Sequence, residues 1–336
     1  MRYRRMGQTG LKLSEIALGS SILYPQNAEN SSKDVGIACI RRAFELGVNV
    51  FDTADAYERG ETERVLGEAI RNLPRGQIVV ATKCWFPVWP GPLGRGLSRK
   101  HVVEAAEASL KRLGIEYIDL YQAHKYDEET PIEETLAAFD LLVRQGKVLY
   151  VGCSNFSPVQ LCDANHKARA GGSSRFDCIQ SCYHMLERGI ETDLLPLCRA
   201  QKVGVIVYSP LARGMLSGKY KTARIVPGSS VAVAPAEWQR RYFTARNLKI
   251  TDALTRFADE RGLRLSQVAL AWILRRSEIT SCIIGAQNPS QIDENIKASE
   301  TELTTADLAI LDQILSQESQ FESADARERD ESNQCV

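Results

Sequence analysis

The sequence lacks a charge excess, a membrane span and a cysteine framework. Forty-two Lys and Arg balance forty-two Asp and Glu, so nothing points to a nucleic-acid or membrane-surface partner. No apolar run approaches the ~20 residues that cross a bilayer. The basic opening Met1–Met6 has no apolar core of a signal peptide behind it. Nine cysteines are scattered and never stand as C-x-x-C; Cys178 and Cys182 come closest. That pattern argues against both a disulfide scaffold and a zinc site, and for free thiols in a reducing compartment. A cytoplasmic protein is expected. No linker rich in Pro, Gly or Ser divides the chain. One domain is therefore expected over residues 1–316, with a polar, disordered tail over 317–336.

What is present is a regular alternation of short apolar runs and helical patterns. An opening hairpin turns at Gly7–Gly10. Buried strands follow at Ile16–Ser21, Val48–Asp52, Ile78–Lys83, Tyr117–His124, Lys147–Asn155, Phe176–Gln180, Val203–Tyr208 and Ser281–Gly285. Between them stand helix faces such as Ile37/Ile40/Phe44 and Val103/Ala106/Leu110. An irregular insert is expected over 209–249; its stretch 220–245, with Trp238, Tyr242 and Phe243, reads as a lid over a ligand or as disordered chain. Further helices are expected near 251–261, 266–276 and 304–316. Eight βα units point to an α/β fold, a closed (β/α)8 TIM barrel with an N-terminal hairpin and extra C-terminal helices. An open sheet of that width would leave exposed edges.

In such a barrel the chemistry sits at the C-terminal ends of the strands. Those ends carry Asp52, with Tyr57 five residues on, then Lys83 and His124 on the next two strands. Alone, Asp52 reads first as a cap for the next turn or half of a structural pair. Beside Lys83 it reads as the group that holds an ammonium in place. An ammonium near Tyr57 favours the phenolate and lowers its pKa, which makes Tyr57 a candidate acid toward a carbonyl or base toward an alcohol. His124 would bond the substrate oxygen or the phenol. A Lys among these groups disfavours a bound metal. A protonated carbonyl needs a hydride, which implies a nicotinamide cofactor. Ser154, Asn155 and Gln180 suit its carboxamide, and Tyr208 suits its ring. Gly19, Ser20 and Ser21 permit close approach of a ligand to the backbone. Ser209, Leu211 and Gly214 could line a pyrophosphate, and Gly285-Ala286-Gln287 leads into a helix N-terminus that attracts phosphate.

With these motifs in place the chain resembles the aldo-keto reductase superfamily from near Gly7 to about Asn295. The segments GQTGLKLSEIALGS, FDTADAYERGETERVLGEAI, VVATK, DLYQAH, GKVLYVGCSNFS, YSPLARGMLSGKY and IIGAQNPSQIDEN carry it. The resemblance implies a TIM barrel that reduces aldehydes and ketones, sugars and keto-sugars among them, with NADPH and no metal. It places the family's catalytic tetrad on Asp52, Tyr57, Lys83 and His124, and adenine contacts on Glu294 and Asn295. Potassium-channel β subunits look similar and keep the tetrad. A cofactor-sensing partner protein is therefore one alternative, although their long N-terminal extension is not expected here. A dehydrogenase working on sugars or polyols is the other. The protein is expected to be a monomer or homo-oligomer with a small carbonyl substrate.

Two departures from the family pattern matter. Where relatives carry Arg or Lys to grip a 2′-phosphate, this chain has Gln287 and Gln291. Neutral amides grip phosphate weakly, so NADH use is expected unless Arg213 or Lys297 takes over. The loop after Lys83 is long, aromatic and rich in Pro and Gly, and its Trp85, with Trp89, is read as a substrate wall. Lys125 and Tyr126 face the same rim, and Lys125 would favour an anionic substrate. His101 and His166 are expected off the rim; His184, after the strand bearing Gln180, would lie nearer.

Overall fold

A computed structural model describes residues 1–21, 33–220 and 240–316. The expected tail over 317–336 and Trp238 of the insert lie outside the described residues.

Eight parallel strands close into a barrel in chain order: β3 (Ile16–Gly19), β4 (Val50–Asp52), β5 (Val79–Cys84), β6 (Ile118–Ala123), β7 (Val148–Ser154), β8 (Cys178–Cys182), β9 (Gly204–Tyr208) and β10 (Ile279–Ile284). β10 pairs back onto β3 through Cys282↔Ile16 and Ile284↔Leu18, so the sheet has no free edge. The helices Lys33–Glu45, Glu61–Ile70, Arg99–Leu113, Ile132–Arg144, Pro158–Gly171, Leu194–Gln201 and Pro289–Ile296 each follow a strand. The helices Ala245–Asp259 and Leu265–Leu274 precede β10, and Thr305–Ser316 closes the described chain. The first of these begins inside the expected irregular insert. Thr244 explains the start: its side chain accepts from the Asn247 N–H and caps the helix.

Strand periodicity divides the core in two. Residues pointing outward, such as Phe51, Val80, Tyr121 and Val205, pack under the helices. Residues pointing inward, among them Ala17, Val50, Val79, Ala81, Leu120, Cys178, Ile206 and Ile283, fill the barrel with Met6 and Leu13. Those last two come from the hairpin β1 (Tyr3–Arg5) and β2 (Lys12–Ser14), whose strands pair antiparallel. The hairpin therefore plugs the N-terminal end. Its Gly7 has φ +54°, and a Cβ there would stand 2.4 Å from the Lys202 carbonyl oxygen, so only glycine lets the turn sit this close. With one end sealed, ligands enter from the other.

Candidate active site

Counting by twos along each strand gives the site. Val79, Ala81 and Lys83 share one face of β5, and Val50 and Asp52 share one face of β4. The same parity turns Gln122 and His124 inward from β6, Ser154 from β7, Gln180 from β8 and Tyr208 from β9. Register then sets them side by side. Gly19 is level with Asp52, Lys83 with Gln122, and Ser154 with Gln180. A cleft of about 810 Å³ opens over this layer.

The Lys83 Nζ donates to Asp52 Oδ1 at 2.5 Å and to the Thr53 carbonyl at 2.7 Å. Lys83 is fully buried and Asp52 nearly so. Burial pulls the Lys83 ammonium down, but Asp52 and Tyr57 together outweigh it and hold the pKa above the usual value. The other Asp52 oxygen accepts from Gln180 Nε2 at 2.9 Å and Gln122 Nε2 at 3.4 Å. Gln122 was missed in the sequence. Its inward parity two residues before His124 was the available signal.

Tyr57 stands over this pair, with the Lys83 Nζ 5.1 Å from its ring centroid. One expectation is corrected here. Burial pushes the Tyr57 phenol above its ordinary pKa of 10.0, and the pull of Lys83 only partly offsets it. Tyr57 is therefore a protonated phenol at neutral pH. The His124 ring meets Tyr57 edge-on at 5.7 Å and Phe86 at 4.8 Å. Burial, aided by Lys83, lowers the His124 pKa to about 3, so this imidazole is neutral. Together the site offers a phenolic proton, a neutral imidazole and a locked ammonium around one position at the cleft floor.

The rest of the cleft runs from that floor toward the helix Pro289–Ile296. Gly19, Ser21, Ser154, Asn155, Gln180 and Tyr208 line it near the floor. Ser209, Leu211, Arg213 and Gly214 line its side, and Gly285, Gln287, Gln291, Glu294 and Asn295 its far end. Ser20 and Ala286 are buried and do not line it. Among the described residues seven non-glycines have positive φ. Six of them lie in rim loops: Glu58, Arg59, Asn155, Ser209, Ala212 and Arg213. Such conformations cost energy and concentrate where backbone is shaped for a ligand. Asn155 is fixed further by donating to the His124 carbonyl at 3.1 Å and accepting from the Tyr208 hydroxyl at 2.8 Å. At the far end the Gln287 N–H donates to Gln291 Oε1 at 2.9 Å, and Asn288 caps the helix by accepting from the Gln291 N–H. Arg264, also missed in the sequence, reaches Glu294 at 3.3 Å. Lys219 is a further lining cation not anticipated.

The aromatic loop is arranged differently from the expectation. Phe86, not Trp85, lines the cleft; Trp85 stands behind it, edge-on at 4.9 Å. Trp89 packs on His101, and Tyr126 on Phe156. His101 is a buried residue of the helix Arg99–Leu113, His166 is exposed, and His184 is buried against Tyr242. Tyr242 is itself buried and outside the lining, and residues 221–239 of the insert lie outside the described residues.

Comparison with known proteins shows the family. The family model described as the aldo/keto reductase family matches residues 15–316. The chain is 36% identical over 313 residues to a probable voltage-gated potassium channel subunit beta of Arabidopsis thaliana, covering 89% of this chain and 91% of the relative. It is 34% identical to an L-glyceraldehyde 3-phosphate reductase of Escherichia coli, covering 93% and 92%. It is 32% identical to a versiconal hemiacetal acetate reductase of Aspergillus parasiticus, covering 93% and 96%.

Proposed function

Because the chain belongs to the aldo/keto reductase family, we propose that it reduces an aldehyde or ketone to an alcohol with NADPH or NADH. The observation that carries this reading is the stacking of Tyr57 over the buried Lys83–Asp52 pair, beside neutral His124. A reduced nicotinamide supplies the hydride when bound. Everything else is this chain's work. Tyr57 donates its proton to the carbonyl oxygen, and Lys83 stabilises the phenolate left behind. Asp52 keeps Lys83 charged and in place. Neutral His124 orients the same oxygen, and it takes no proton from Tyr57 because its pKa is about 3.

The cleft fits a nicotinamide dinucleotide. Ser154, Asn155 and Tyr208 line the cleft near its floor, which supports assigning the carboxamide to the first two and the ring to Tyr208. Gln180 is committed to Asp52 in this structure, so we assign it a double role: bracing the carboxylate and closing the carboxamide site. The left-handed backbone at Ser209, Arg213 and Gly214 turns the loop toward a pyrophosphate. Gln287 and Gln291 give the far end no positive charge, so NADH is accepted as well as NADPH. Arg213 and Lys219, which line the cleft, and Arg264 beside Glu294 are the cations we assign as candidates for a 2′-phosphate.

The test is a panel of aldehydes and ketones with each reduced cofactor, followed by loss of reduced-cofactor absorbance. Oxidation of cofactor that requires the carbonyl supports the reading; none across the panel contradicts it. The Arabidopsis relative's name favours a second reading, a channel-associated partner that senses the cofactor. Cofactor binding without turnover on the panel would favour that reading. The physiological direction is proposed as reduction, and a cytoplasmic location as its setting.

A further inference from the structure

The substrate side of the cleft has an unusual wall. Phe86 is 39% exposed, a high value for a phenylalanine, and its ring meets His124. It gives an apolar platform next to the reacting position. Behind it, the Trp85 indole is approached by two cations, Lys125 with its Nζ at 5.2 Å from the ring and Arg95 at 5.5 Å. Lys125 also lines the cleft and directly follows His124 in the chain. Neither cation forms an ion pair with a carboxylate among the described residues. The neighbouring carboxylate, Asp127, is taken by the Leu97 and Glu129 N–H groups and the Thr130 hydroxyl. Most other cations around the barrel, Arg42, Arg75, Arg112 and Arg188 for instance, are matched with acidic partners. An indole face attracts a cation, and holding two of them there keeps positive charge gathered at one edge of the cleft mouth.

We propose that the substrate is a carbonyl compound with an apolar body and an anionic group at the end away from the carbonyl. The body lies on Phe86 and the anion on Lys125, with Arg95 adding to the local charge across Trp85. The shared chemistry is a carboxylate or a phosphate. The inference rests on the carbonyl-reducing reading of the same cleft, and specifies its substrate class. Lys125 and Arg95 act here in specificity, with no part in proton or hydride transfer.

The test compares matched pairs: para-carboxybenzaldehyde against its methyl ester, and para-formylphenyl phosphate against para-methoxybenzaldehyde. The wild type should prefer the anionic member of at least one pair by roughly five-fold or more in kcat/KM, carried by KM and weakened by salt. Which pair responds separates carboxylate from phosphate. Lys125→Ala should abolish most of that ratio, Lys125→Glu should invert it, and Lys125→Arg should retain it. Arg95→Ala should reduce it less. In parallel, calorimetry compares benzoate with benzamide on the protein saturated with oxidised cofactor. No turnover on any aldehyde, with benzoate still favoured through Lys125, would remove carbonyl reduction and keep the anion subsite. Equal use of both members of each pair by the wild type overturns the proposal. So does a ratio unchanged in Lys125→Ala and Lys125→Glu.

Discussion

Lys83 and Asp52 form an ion pair with their Nζ and Oδ1 atoms 2.5 Å apart, on adjacent strands and almost wholly out of water. Three further groups satisfy the pair: the Thr53 carbonyl accepts from the ammonium, and Gln180 and Gln122 donate to the carboxylate. Breaking one half leaves an uncompensated buried charge. Lys83→Met should therefore cost about 3–5 kcal/mol in denaturant unfolding. The double change Asp52→Asn with Lys83→Met should cost less than Lys83→Met alone. A double variant that loses the sum of the two single losses would show that the charges do not act as a pair.

Asp55 sits beneath the site, 1% exposed, with neither carboxyl oxygen hydrogen-bonded among the described residues. Burial, with repulsion from Glu63, raises its pKa to about 8. Glu63 itself is held by Arg112 and Thr82. The folded chain thus keeps a proton on Asp55 that the unfolded chain releases near pH 4. Stability from this residue is full below about pH 4 and is lost as pH rises toward 8. Asp55→Asn should flatten that fall. Unfolding measured at pH 5 and pH 8 checks it: the variant should gain on the wild type at pH 8. An equal difference at both values would mean that Asp55 is already ionised at pH 5.

His124 should remain neutral down to about pH 3. Its pKa is depressed, so the unfolded chain takes up the proton first, and stability from this group falls as pH drops through about 6.5 toward 3. The His124 ring resonances, assigned by loss in His124→Gln, should not shift between pH 5 and 8. A titration centred near 6.5 would mean that the imidazole is solvated and the cleft wetter than described.

Gln287→Arg should raise the preference for NADPH over NADH by roughly ten-fold, read as the ratio of the two dissociation constants. An unchanged ratio would place the 2′-phosphate elsewhere, with Arg264 or Arg213 as the next residues to change.

Much of this was legible in the sequence because strands and barrels obey simple rules. Val79, Ala81 and Lys83 alternate with Val80, Thr82 and Cys84, so an inward Lys83 follows from parity once the strand is recognised. The order of strands follows from the repeated strand–helix connections that set each strand beside the next. Side-chain partners across the barrel were harder. Gln180 bonds to Asp52 from 128 residues away, and no local pattern announces that. The choice of Phe86 over Trp85 as cleft wall depends on loop backbone, which carries no period. The direction of the Tyr57 shift was misjudged because an ammonium was counted and the loss of water was not. The helix Ala245–Asp259 began earlier than its apolar pattern suggested, since Thr244 sets its start.

Tyr57 as proton donor is the centre of the proposed reaction. Single-turnover reduction of a carbonyl found in the panel, by wild type and Tyr57→Phe with saturating reduced cofactor, tests it directly, with cofactor affinity measured alongside. The phenol's loss should slow the hydride step by about 10²–10⁴-fold while the dissociation constant of the cofactor stays within about two-fold. A Tyr57→Phe enzyme that binds cofactor normally and turns over near the wild-type rate would contradict it.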